Sequence, residues 1–180
     1  MAKPGNQLLK QALELAYEDY HQEKRRRRDP ISLVYPFSNP QDQEVAAFLV
    51  ALISYGNVTT ILQSGEKLLA PLGRNPYQYL ISDSPLNLWP TFKHRFTTGK
   101  DIEILAHWIR EALKTQGSLE QFFISRTPDQ SVPMKLKLSG FVQGLWSQPL
   151  SKNVKCWVQV RNRNLKYLLS DPQQGSACKR

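Results

Sequence analysis

Cysteine is nearly missing from this sequence: Cys156 and Cys178 are the only two among 180 residues. Two cannot build a disulfide framework, and their separation rules out a Cys-x-x-Cys metal or redox pair, so a thiol-based function is not expected. Long apolar runs are missing too. The longest, Val45 to Ile53, falls far short of the ~20 residues that a membrane-spanning helix needs. Met1-Ala2-Lys3-Pro4-Gly5 leads into no hydrophobic signal core. A soluble, cytoplasmic chain with no membrane partner is expected. Zinc signatures, phosphate-cradling glycine loops and a Ser/His/Asp order are absent. His21 and His107 stand alone on helical stretches with no ligand at metal spacing, so neither metal nor cofactor is expected. The most informative scarcity is of acid: residues 131–180 contain one carboxylate side chain, Asp171.

What remains is the make-up of a single folded domain. At 180 residues, 41% hydrophobic and 22% charged, the chain is long enough to bury a core and too short for two well-formed ones. Its net charge of +9 is unevenly placed: residues 131–180 hold nine of the 24 basic side chains against that lone Asp171. Lys135, Lys137, Lys152, Lys155, Arg161, Arg163, Lys166, Lys179 and Arg180 are interleaved with Trp146, Trp157 and Tyr167, which can stack on bases or pack inward. A polyanion such as nucleic acid is the natural partner; a solvated surface that aids solubility is the alternative. The run Lys24-Arg25-Arg26-Arg27-Arg28 ends a predicted helix, where the dipole favours cations whatever their function.

The periodicity is helical almost throughout. Leu8, Leu9, Ala12, Leu13, Ala16, Tyr17 and Tyr20 predict an amphipathic surface helix from Asn6 to about Lys24. Asn39-Pro40 caps a helix from about Gln41 to Ser54, whose near-continuous apolar run predicts the most buried helix of the fold. Gly56 breaks it, and Asn57 caps the next, which carries Val58, Ile61, Leu62, Leu68 and Leu69 until Pro71 and Gly73 stop it. Asn75-Pro76-Tyr77 starts a short helix, and Ser84 to Pro90 reads as a loop. Asp101 opens a long helix ending at Gly117, Ser118 and Gln121 form a capping box, and Leu138, Phe141, Val142 and Leu145 mark another helix. Only Val154, Cys156, Val158 and Val160 alternate as a strand or an irregular insertion would. The fold class expected is all-α, a helical bundle.

Several motifs carry a resemblance. Pro40 to Gly56, Asn75-Pro76-Tyr77, His94-Arg95-Phe96-Thr97, Gly117-Ser118-Leu119-Glu120 and Gly175-Ser-Ala-Cys-Lys-Arg180 together resemble the signatures of a bacterial domain-of-unknown-function family, number 2400, from about Asp29 onward. That family usually has Arg after the Tyr-Gly pair, where this chain has Asn57. It is in turn distantly similar to the helix-hairpin-helix DNA glycosylases, with Leu52 to Thr60 in the place of a helix, polar turn and second helix. The resemblance implies a DNA-binding protein in which a hairpin holds phosphate and an Asp acts on a flipped base. Gly175 to Lys179 is similar to the end of that hairpin, and the segment with the presumed catalytic Asp would follow Arg180. The chain is therefore expected to be the N-terminal part of that fold, one helical domain incomplete at its C-terminus, poorly packed there and without base-excision activity. No catalytic residue is assigned. DNA is favoured over RNA as partner; an RNA-binding basic protein and a non-catalytic interaction or remnant domain are the alternatives.

The residues expected at the nucleic acid are Tyr55, Asn57, His94, Arg95, Arg161, Arg163, Lys166, Gly175, Lys179 and Arg180. Tyr55 can stack on a base or belong to the core. His94-Arg95 can grip phosphate or anchor a loop by hydrogen bonds. Asp42 and Glu44 could be an acid pair for catalysis or metal binding, but carboxylates in a first helical turn are stabilised there without any function. Asp171 is read as opening the turn at Pro172.

Overall fold

The computed structural model describes residues 4–127 and 131–174. In chain order the helices are α1 (Pro4–Tyr20), α2 (Glu23–Arg26), α3 (Pro40–Ile53), α4 (Val58–Leu69) and α5 (Pro76–Ile81). A hairpin of two short strands, β1 (Lys93–His94) and β2 (Thr97–Thr98), then leads into α6 (Gly99–Gln116), α7 (Leu119–Ser125), α8 (Met134–Trp146) and α9 (Lys152–Leu168). The architecture is all-α. No helix among the described residues is long and apolar enough to cross a membrane.

Helix starts follow the side chains that cap them. Asn39 accepts from Gln41 N at 2.9 Å with Pro40 at the first position, and Asn57 accepts from Thr59 N and Thr60 N at 2.9 and 3.3 Å. Each satisfies amides that have no partner inside the helix. The two acids of α3 do something that sequence periodicity could not show. Asp42 is buried and accepts from Tyr77 N, at the start of α5, at 2.8 Å. Glu44 accepts from Leu119 N and Glu120 N, at the start of α7, at 2.8 and 2.6 Å. Both carboxylates cap neighbouring helices, where the positive helix end strengthens a charged hydrogen bond.

The core contains one correction. The most buried helix is α6, not α3: Ile102, Ile104, Leu105, Ala106, Ile109 and Ala112 are all at 0% exposure. Asp101, Glu103 and Arg110 of this helix are buried too. Arg110 donates from Nε to Leu80 O at 2.6 Å and from Nη2 to Ser84 O at 2.7 Å, fastening the end of α5 and the following loop. Helix α3 does pack on α4 and α5, with Val45, Ala46 and Ile53 at 0% exposure, but its apolar run places the small Ala47 outward. An alanine methyl has little area to hide, so an unbroken apolar run need not be buried all round.

Three further expectations change. The apolar stripe of α1 is solvent-facing, with Leu8, Leu9, Leu13 and Tyr17 all more than half exposed; the helix is on the surface, and its stripe is not what holds it there. Residues 154–160 belong to α9, neither a strand nor an irregular insertion. The alternation of Val154, Cys156 and Val158 falls within a helix that, among its described side chains, buries Val154, Leu165 and Leu168, at helical spacing. The described C-terminal segment is also well packed. Leu165, Leu168 and Leu169 are buried, α9 lies on α6, and the turn Pro172–Gln174 lies on α8. These leucines supply the burial that an isolated terminal strip was expected to lack.

The junction between hairpin and core depends on Gly99, which follows Trp89 so closely that an added Cβ would fall 1.5 Å from the Trp89 carbonyl oxygen. Trp89 cannot yield, because its indole donates to Leu68 O at 2.9 Å from a buried position. Gly99→Ala is therefore expected to cost about 3 kcal/mol or more, measured as a lowered urea midpoint with an unchanged slope.

Candidate nucleic-acid interface

Three segments remote in sequence meet beside the core: the turn Tyr55-Gly56-Asn57 between α3 and α4, the hairpin tip Arg95-Phe96, and the last turns of α9. The Tyr55 hydroxyl donates to His94 O at 3.2 Å and lies 3.1 Å from Thr97 Oγ1. Its ring meets His94 and Tyr167 edge-to-face, with centroids 4.9 and 5.6 Å away. Tyr167 in turn meets Phe96 edge-to-face at 5.7 Å, and Asn164 Nδ2 donates to Phe96 O at 3.4 Å. The contacts run from the α3–α4 turn through the hairpin to α9.

His94 anchors this arrangement and is only 2% exposed. Its Nε2 lies 3.2 Å from the Tyr55 carbonyl, which can only accept, so Nε2 carries the proton. The unprotonated Nδ1, 2.9 Å from Ser64 Oγ, then accepts from the serine hydroxyl. Burial lowers the pKa of the imidazole below its ordinary value, and the nearby Arg95 charge acts the same way, against the opposing hydrogen bonds to backbone. The folded state holds His94 neutral, and the phosphate grip raised for it is replaced by the anchoring role.

Arg95 is different: it is exposed at the tip, with a backbone φ of 52°, a left-handed conformation that non-glycine residues seldom adopt. Its guanidinium folds over Gly56, itself at φ 104°, where an added Cβ would lie 3.1 Å from Nη1. Arg95 therefore stands over the α3–α4 turn. Asn57 is exposed beside it, with its side-chain oxygen accepting from Thr59 N and Thr60 N at the start of α4.

Helix α9 supplies the charge. Lys152, Lys155, Arg163 and Lys166 are exposed, and at 100° per residue they fall within an arc of about 80°. The buried Val154, Leu165 and Leu168 lie on the opposite side, and the helix contains no acid. Of the other expected contacts, Arg161 lies in α9 with its side chain outside what is described, and Gly175, Lys179 and Arg180 lie outside the described residues. Lys137 is buried in α8 and does not add to the exposed charge.

Beside the stripe opens a cleft of about 680 Å³, lined by Phe96, Trp146, Arg163, Lys166, Tyr167 and Asp171 among others. Phe96 is 60% and Tyr167 41% exposed. Asp171 is not a free acid in it. Burial alone would raise its pKa, but hydrogen bonds from Gln143, Ser139 and the Gln173 amide, with Lys135 nearby, hold the carboxyl below its usual range. The Gln143 and Gln173 bonds measure 3.0 and 2.9 Å, so Asp171 ties α8 to the Pro172 turn that it opens. Sequence reasoning missed Phe96 and left Trp146, Lys152 and Lys155 out of the expected contacts. The spacing Lys152, Lys155, Arg163, Lys166 was a readable signal, obscured by the alternating valines. Among the described residues no group of three or more His, Cys, Asp or Glu could hold a metal.

Comparison with known proteins adds one finding: the family described as Protein of unknown function (DUF2400) matches residues 29–180. No curated protein and no solved structure matches the chain significantly.

The neutral state of His94 has a consequence for stability. At this site the unfolded chain takes up a proton more readily than the folded one, so stability rises with pH. The contribution is complete above the ordinary histidine value of about 6.5 and is lost as pH falls below it toward the folded value, by at most ~1.4 kcal/mol per pH unit. His107 is shifted in the same direction by burial. The comparison with His94→Gln isolates the effect: between about pH 7.5 and about pH 5.5 the wild type is expected to lose more denaturant stability than the variant.

Proposed function

Starting from the chain's membership of the DUF2400 family, we propose that it is a DNA-binding protein, engaging the phosphate backbone through α9 and the adjoining hairpin. The observation that carries this reading is the acid-free stripe of exposed Lys152, Lys155, Arg163 and Lys166, with Arg95 and the exposed ring of Phe96 at its flank. Cations arrayed along one helix face neutralise successive phosphates and release their counterions, which makes binding tight at low salt and weak in sequence preference. The resemblance to helix-hairpin-helix DNA glycosylases read from the sequence at Leu52 to Thr60 favours DNA over RNA as the polyanion in this proposal.

Base excision is not part of the proposal. Cleaving an N-glycosidic bond needs a carboxylate poised at the extruded base, and Asp171, the one acid of residues 131–180, is bonded to Gln143 and the Gln173 amide. Duplexes with uracil, 8-oxoguanine or alkylated bases are expected to stay intact when incubated with the purified chain. Base release that disappears with Asp171→Asn would reverse this assignment.

Binding is tested by fluorescence anisotropy of labelled duplex DNA across a salt series. We expect affinity to fall steeply with salt, and the slope of log affinity against log salt to become shallower by about three in a Lys155→Gln, Arg163→Gln, Lys166→Gln variant. Absent binding, or binding indifferent to both salt and these substitutions, would overturn the proposal.

A further inference from the structure

The geometry points to an unpaired DNA nucleotide, stacked on Phe96 beside Tyr167 with its phosphates on Arg163 and Lys166, as the occupant of the cleft between the hairpin and α9. This rests on the DNA-binding reading above and specifies which form of DNA the site takes.

Phe96 is the starting point. A phenylalanine at a hairpin tip could turn inward to bury its ring, yet Phe96 is 60% exposed. It is fixed in that position from two sides, by the bond from Asn164 to its carbonyl and by the edge of Tyr167. The left-handed turn at Arg95 sets the tip that presents it. Two exposed rings at right angles, 81° between their planes, offer one face for stacking and one edge to close the cleft behind it. Trp146 adds an apolar wall, and Asn164, Ser170 and Gln174 line the cleft with groups able to meet the polar edge of a base. At about 680 Å³ the space lies in the range of pockets that enclose a small ligand.

The charge argues for a nucleotide within a strand. Arg163 and Lys166 line the same cleft and continue along α9 toward Lys155 and Lys152, so a strand entering at the rings can place its following phosphates on the stripe. In a duplex the base faces are covered by their neighbours and only groove edges are available. A single strand has free faces, and aromatic platforms beside cationic grooves are how such strands are held without regard to sequence. Phe96 could instead act as a wedge between duplex base steps, and the experiment separates the two.

The test uses the whole chain with single-stranded and duplex DNA of equal length and mixed sequence, read by anisotropy at one salt concentration. Phe96→Ala removes a largely exposed ring, and an unchanged melting temperature shows that the fold is kept. The expected result is tighter binding of the single strand, lowered about tenfold by Phe96→Ala and retained by Phe96→Trp, with duplex binding changed less than twofold. Equal losses on both DNAs, the mark of a duplex wedge, or no loss on either, would overturn this inference and leave salt-dependent DNA binding standing. No binding of any DNA would overturn both. Tighter binding of single-stranded RNA than of DNA would overturn the choice of DNA.

Discussion

The arrangement of helices depends on two carboxylates at the start of α3. Asp42 and Glu44 reach away from their own helix and take the first amides of α5 and α7, at distances between 2.6 and 2.8 Å. Each bond joins a charge to the positive end of a helix. Because a helix start offers its amides along the axis, such a bond constrains direction as well as position. Helices α5 and α7 are thereby aimed from a common point, and α6, which packs against both, is enclosed. Arg110 completes the frame from within by holding the carbonyls of Leu80 and Ser84, so the chain from α5 to the hairpin has a fixed course before it reaches the functional surface.

That surface rests on a neutral imidazole. His94 accepts from Ser64 on α4 and donates to the Tyr55 carbonyl at the end of α3, tying the hairpin to both helices of the turn. A protonated ring would have two donors, and Ser64 would have to reverse its hydroxyl to accept. The hydroxyl of Tyr55 closes the opposite side by bonding to His94 O. The exposed Arg95 and Phe96 are thus the tip of a hydrogen-bonded clamp, and the nucleic acid proposed to engage them would lose less ordering entropy there.

The sequence was most legible where one residue's chemistry decides the local structure. Asn39-Pro40, Asn57, Ser118 and the helical stripes of α4 and α6 lie where spacing and capping put them. It was least legible where the partner of a group lies far along the chain. Glu44 is 75 residues from the amide of Leu119 that it caps, and His94 is 30 from Ser64; no local pattern encodes such pairs. The misreadings at α3 and α9 share a cause. An apolar run containing alanines can face water at little cost, and alternating valines in a helix imitate a strand while the buried side is set by Val154, Leu165 and Leu168. For the site, charge and aromatic content were visible, whereas the meeting of Phe96, Tyr55 and Tyr167 was not.

The placement of charge within α9 bears on why it is there. Arg163 and Lys166 fall near the C-terminal end, where the helix dipole favours cations, so stability alone could account for them. Lys152 and Lys155 cannot be explained that way. They occupy the first turns, with no acid among them, at the end where a positive charge is disfavoured by roughly 0.3–1 kcal/mol. The helix also carries them on the same narrow arc as Arg163 and Lys166, where like charges repel one another at low salt. A chain selected only for stability would place Asp or Glu at that end, as α6 does with Asp101 and α7 with Glu120. On the DNA-binding reading proposed above, a bound strand of phosphates would remove both penalties at once, and α9 would trade stability in the free protein for affinity in that complex. The burial of Val154, Leu165 and Leu168 on its other side keeps the helix folded while that cost stands.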